Sequence, residues 1–221
     1  KESSAASDVY KRQDLLVMRR KLKKAEIQEV TDILMDFHAD AECELVHESP
    51  FELLIATILS AQCTDVRVNM ITQELFKEAN TPQAIIDMGM DKLKDYIRTA
   101  GFFNSKSKNI METCHILVDD YNSQVPDTME ELTKLPGVGR KTANVVLSNC
   151  FGMPAIAVDT HVFRVSNRIG LVHEKDVEKT EEALMKALPK EIWTKMHHVL
   201  IFHGRYICKA RKPMCHECPI S

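Results

Sequence analysis

The sequence predicts an all-α protein of about ten helices joined by short connections. Three observations carry that expectation. Apolar residues recur at helical spacing from Asp14 onward, hydroxyl-proline start signals precede several of these stretches, and no alternating apolar-polar run of useful length marks a strand.

Residues 1–13, KESSAASDVYKRQ, lack apolar periodicity, and the part SSAASDVYKRQ resembles translated adapter sequence, so the segment is set aside as a non-native leader. Ser49-Pro50-Phe51-Glu52 supplies an N-cap, a proline at the first helical position and a capping-box glutamate. The run Leu53–Ala61 that follows is apolar all round, which predicts a central, buried helix. Val68, Ile71 and Leu75 form one helical stripe; Ile110, Cys114, Leu117 and Tyr121 form another. Thr81-Pro82 and Asp127-Thr128 read as further helix starts. Val177, Glu181, Leu184 and Leu188 mark a late helix ended by Pro189. No repeat period appears, which excludes a solenoid.

Of the 221 residues 44% are hydrophobic and 28% charged, enough apolar material for a packed core and too much for a disordered chain. No run of 18 apolar residues is present, so no membrane span is expected. The net charge of −3 gives bulk electrostatics no pull toward nucleic acid, and any such surface must be local. One candidate is His203–Lys212, where Arg205, Lys209, Arg211 and Lys212 occur without a carboxylate; a solvated face is the plainer reading of so short a cluster. Cys43, Cys63, Cys114 and Cys150 are isolated and read as reduced packing thiols, whereas Cys208, Cys215 and Cys218 crowd into eleven residues. A reducing cytoplasm suits both groups.

Two segments carry chemistry. Leu135-Pro136-Gly137-Val138-Gly139-Arg140-Lys141 joins two helical patterns through a turn whose glycines permit positive φ and close approach of backbone to a ligand. The helix starting next to Gly139 offers unpaired N–H groups and its positive end to a phosphate oxygen, with Arg140 as a second partner. Lys141 sits in the first turn, where the helix end and Arg140 both disfavour a cation and so favour the neutral, nucleophilic amine. A phosphate-pairing lysine remains an equal reading of these features. The second segment, Val158-Asp159-Thr160-His161, starts a helix with an aspartate suited both to capping and to stabilising positive charge on a sugar.

Taken with His203-Gly204-Arg205-Tyr206-x-Cys208, Pro50–Ala56, Leu59–Gln62 and Asn104-Ser105-Lys106, these segments resemble the endonuclease III family of helix-hairpin-helix, iron-sulfur DNA glycosylases, from about Ile27 to the end. The resemblance implies a six-helix barrel domain, 43–152, inserted into a cluster-binding helical domain, 14–42 plus 153–221, with DNA bound across the cleft. It implies a base-excision glycosylase with AP lyase activity that flips oxidised pyrimidines out of duplex DNA. Lys141 would be the nucleophile and Asp159 its partner. Leu135, Gly137, Val138, Gly139, Arg140, His161, Arg205, Lys209 and Arg211 would contact DNA, while Gln62 and either Phe102 or Phe103 would fill the gap in the stack. Relatives acting on adenine lack the lysine; relatives acting on pyrimidine dimers keep it. The protein would act as a monomer in the cytoplasm of a bacterial-type cell, on the nucleoid.

Cys208-x6-Cys215-x2-Cys218 matches the first three ligands of the family's [4Fe-4S] loop, whose fourth cysteine would fall five residues further on; truncation is the expected reason for its absence. Zinc held by the three thiols with His216 is the alternative. Two other functions stand beside the lyase: a non-catalytic helix-hairpin-helix scaffold, and a monofunctional glycosylase using water and Asp159.

Overall fold

A computed structural model describes residues 20–221; the expected leader, 1–13, lies outside them. In chain order the helices are α1 (Lys24–Phe37), α2 (Pro50–Ser60), α3 (Asp65–Glu78), α4 (Pro82–Met88), α5 (Met90–Ile97), α6 (Phe103–Tyr121), α7 (Met129–Leu132), α8 (Arg140–Cys150), α9 (Thr160–Ile169), α10 (Val177–Ala187) and α11 (Trp193–Phe202). Short 3₁₀ turns occupy Lys190–Ile192 and Cys215–Glu217, and a π-helical turn follows α11 at His203–Ile207. The described residues contain no strand, and none of their helices is long and apolar enough to cross a membrane.

The described residues form two compact units, one of Cys43–Met153 and one that joins residues 20–42 with Pro154–Ser221. In the continuous unit α2 is buried from Phe51 to Leu59 and packs against α3, α6 and α8. Ser49 Oγ accepts from the Glu52 amide at 3.2 Å, as its sequence requires. The Glu52 carboxylate, however, accepts from Glu48 N at 2.7 Å, one residue further back than a capping box demands, and so ties down the incoming chain. Val68, Ile71 and Leu75 are buried on α3, as are Ile110, Cys114 and Leu117 on α6, with Tyr121 half-buried at the helix end. Thr81 caps α4. Thr128, not Asp127, caps α7 by accepting from Glu131 N.

In the discontinuous unit α1, α9, α10 and α11 enclose Leu34, Val162, Val165, Leu184, Met196, Val199 and Leu200. α9 ends on Gly170 at φ +88°, a left-handed turn that an alanine would fill badly, since its Cβ would stand 2.4 Å from Arg20 O. α10 is capped by Asp176 and stops at Leu188, before Pro189.

Candidate nucleic-acid interface and active site

The hairpin is built from the inside out. Leu135 and Val138 are 2% and 6% exposed, so their side chains plug the core and only their backbone is free for a ligand. Val138 N donates to Leu135 O, closing the turn, and Thr113 Oγ1 donates to Pro136 O at 3.1 Å, fixing it to α6. Gly137 takes φ +78°. Gly139 is the N-cap of α8 and brings no side-chain acceptor, and the first turn holds no carboxylate but two exposed cations, Arg140 and Lys141. Helix N-termini ordinarily carry a capping oxygen and acidic residues. α8 inverts both preferences, an arrangement complementary to an anion arriving from solvent.

Asp159 caps α9. Its Oδ1 accepts from the amides of His161 and Val162, both at 2.8 Å, and the residue is only half-buried. Behind it lies buried Arg164, whose guanidinium donates to Gly204 O at 2.8 Å and to Cys208 O at 3.2 Å and lies 3.3 Å from His161 Nδ1. Burial pushes this guanidinium below the usual arginine range. Gly204 packs so tightly that a Cβ would meet His161, Val165 and Arg164 at 3.0–3.1 Å. The π-helical turn closes with Cys208 N donating to His203 O at 2.6 Å, and such turns recur at functional sites. Lys209 and Arg211 are exposed and Arg205 half-exposed on this segment.

In the continuous unit Gln62 and Phe102 both adopt left-handed backbone, at φ 54° and 50°, and both are exposed. Phe102 is 68% exposed, whereas Phe103 is half-buried as the first residue of α6. Lys106 is 5% exposed; its ammonium donates to Leu59 O at 2.8 Å and Ala100 O at 2.6 Å. Burial holds it below the usual lysine range, with Cys63 opposing the shift.

None of the seven cysteines is in a disulfide, and of the four read as packing thiols only Cys114 is fully buried; Cys43, Cys63 and Cys150 are half-buried. In the terminal loop Cys208 is buried with Sγ 3.5 Å from Arg168 Nη1, Cys218 Sγ lies 3.6 Å from His203 Nε2, and Cys215 is exposed. His203 Nδ1 in turn lies 3.1 Å from His38 Nε2, and burial lowers both rings, His203 to about 4. Among the described residues no three His, Cys, Asp or Glu side chains are gathered to hold a metal ion. The three thiols have the donor chemistry of an iron-sulfur cluster but do not, as arranged, fit one.

Residues 55–190 match the HhH-GPD superfamily of base excision DNA repair proteins. Endonuclease III of Haemophilus influenzae is 54% identical over 200 residues, 90% of this chain and 95% of that protein. A solved non-covalent endonuclease III–DNA complex superposes with a TM-score of 0.86 at 51% identity, covering 90% of this chain and 94% of the other. A trapped endonuclease III–DNA covalent intermediate gives the same values. This chain belongs to the endonuclease III family. Its members are base-excision DNA glycosylases with AP lyase activity, and the all-helical architecture is theirs.

Within that family frame, two residues that organise the site lay inside the matched segments but were given no role there. Arg164 binds carbonyls 40 and 44 residues away, a pairing with no local signal. Lys106 did leave one: it stands four residues before Ile110, on the same stripe as Cys114 and Leu117, a charge on a buried face.

Proposed function

We propose that this chain removes oxidised pyrimidines from duplex DNA and then cuts the strand 3′ to the lesion by β-elimination, with Lys141 as the nucleophile. The observation that carries the reading is the inverted N-terminus of α8, uncapped, free of carboxylates and bearing exposed Arg140 and Lys141 behind the Gly137–Gly139 turn. The turn's backbone and Arg140 grip a phosphate, which holds Lys141 against the neighbouring sugar.

The lone pair of Lys141 Nζ attacks C1′, and the glycosidic bond breaks with its electrons leaving on the base, which takes up a proton. Loss of a proton from nitrogen and opening of the sugar ring give an imine between Nζ and C1′. When that imine is protonated it draws electrons from the C2′–H bond; removal of the C2′ proton expels the 3′-phosphate and breaks the strand. Asp159 serves by its carboxylate, which stabilises positive charge developing on the sugar as the base departs. Its two amide bonds hold that carboxylate in place.

Gln62 and Phe102 enter the stack vacated by the flipped base; exposure and left-handed backbone favour Phe102 over half-buried Phe103. Lys209, Arg211 and Arg205, with His161 behind them, contact a second stretch of backbone. Cys208, Cys215 and Cys218 would be this chain's thiolate donors to a [4Fe-4S] loop of structural role once brought together, and no step of the reaction runs through it. One chain holds both reacting groups and acts as a monomer in a reducing cytoplasm, on the nucleoid.

The test is borohydride trapping on a duplex with one abasic site. The wild-type chain should yield a covalent protein–DNA adduct and Lys141→Gln none, with both folded and both binding duplex. Excision of thymine glycol that survives in Lys141→Gln would replace the amine with water; an undiminished adduct would reassign the nucleophile.

A further inference from the structure

We infer that Lys106 is a positioning residue that sets the two stack-probing loops, through one ammonium bonded to the base of each. The inference rests on the reading that Gln62 and Phe102 enter the DNA stack.

Leu59 lies in the last turn of α2, where carbonyls lack helical partners and the helix dipole favours a cation. Three residues later the chain turns left-handed at Gln62. Ala100 immediately precedes Gly101 and Phe102, which are left-handed in succession at φ 61° and 50°. A single Nζ donates to both carbonyls, at 2.8 and 2.6 Å, so the departure points of both loops lie within one ammonium's reach. Lys106 itself is rooted in the first turn of α6, among the packed residues of this unit, and is almost wholly buried.

A charge is an expensive way to fill such a place. A methionine would fit the apolar stripe continued by Ile110 and Cys114 at no desolvation cost, so the ammonium's use lies in the two carbonyls it restrains. Both loops carry exposed side chains on strained backbone, the kind of element that drifts unless something outside the loop fixes it. Wedges that enter a duplex together must keep their separation. Lys106 fixes it at the roots and touches neither the DNA nor the reacting atoms.

The experiment uses the full chain with Lys106→Met, the conservative Lys106→Arg, and the double variant Gln62→Ala with Phe102→Ala, all checked for folding by circular dichroism. Two rates are read: single-turnover excision of thymine glycol from duplex, and borohydride trapping on a single-stranded abasic oligonucleotide, which has no stack to fill. Lys106→Met should lower duplex excision by about tenfold or more while trapping changes less than about threefold, and Lys106→Arg should restore most of the loss. In the Gln62→Ala, Phe102→Ala background, Lys106→Met should cost duplex excision little further, because the loops it steers no longer carry their wedges. If Lys106→Met does not fold, Lys106→Gln, which keeps one donor, takes its place with the same expectations. A folded variant that leaves duplex excision intact, or lowers both rates alike, or adds its full loss in the double-variant background, overturns the inference. Should the double variant alone excise normally, the wedge reading fails first, and the two failures are thereby distinguished.

Discussion

Replacing Gly137 by alanine should damage the hairpin, whereas the same change at Gly139, two residues on, should not. Gly137 holds φ +78°, where an L-residue pays about 1–2 kcal/mol. Its Cβ would also stand 2.8 Å from Asn109 Nδ2 and 3.2–3.3 Å from Asn109 Cβ and Cγ. The amide tip can swing away; Cβ, rooted in α6, moves only with the helix. The summed cost is about 2–3 kcal/mol, which lowers Tm by roughly 5–10 °C for a chain of this size. Gly139 has φ −93° and nothing within 4 Å of the place a methyl would take, so alanine there should alter stability by no more than about 0.5 kcal/mol. Urea unfolding gives the first comparison and duplex affinity over a salt series the second. Gly137→Ala should lose both stability and affinity. Gly139→Ala should keep its stability yet bind duplex more weakly, with the salt slope unchanged, because a methyl stands where the phosphate approaches while no charge has been removed. Wild-type stability in Gly137→Ala would refute the steric account, and wild-type duplex affinity in both variants would refute the hairpin as the phosphate grip.

Two further outcomes separate structure from chemistry. Asp159→Asn should keep α9 capped, since an amide oxygen also accepts from His161 and Val162, and change stability by only a few tenths of a kcal/mol, yet lower single-turnover excision about a hundredfold for want of charge. Normal excision by Asp159→Asn would reduce the residue to its cap. His198 is buried, and burial, aided by Lys195, holds it down to about 4, below the ordinary histidine value of 6.5. The unfolded chain therefore binds the proton first. The stability contributed by neutral His198 is complete above about pH 6.5 and falls, by up to a few kcal/mol, as the pH drops toward 4. Urea midpoints between neutrality and about pH 4.5 should show a shallower decline in His198→Phe; an unchanged decline would assign it to other groups.

What could be read from the sequence was what is determined locally. The start of α2 follows from Ser49, Pro50 and Glu52 within four residues, and the same holds for Thr81 and Asp159 at their helices. The Gly137–Gly139 turn is equally local, because a phosphate-gripping bend and the helix end behind it must be contiguous in the chain. Glu52 shows where such reading slips: its type and position were legible, but its partner, Glu48 N rather than Ser49 N, depended on how the incoming chain packs. Leu135 and Val138 show a different slip, since a motif names residues without saying that their side chains face the core.

What was illegible is what joins distant segments, and those joints are where this site is held. Arg164 bonds carbonyls of Gly204 and Cys208, so the helix capped by Asp159 and the basic, cysteine-bearing segment are fixed to each other by one buried guanidinium. Gly204 is needed because any Cβ there would push that guanidinium and His161 away. Lys106 does the equivalent for the loops at Gln62 and Phe102. In each case a cation whose burial costs desolvation binds backbone carbonyls rather than a carboxylate. A carboxylate partner would neutralise the charge more fully, but it would order one side chain and leave the main chain to wander. Carbonyl partners convert the same cost into fixed backbone, which is what loops that carry wedges and phosphate contacts require.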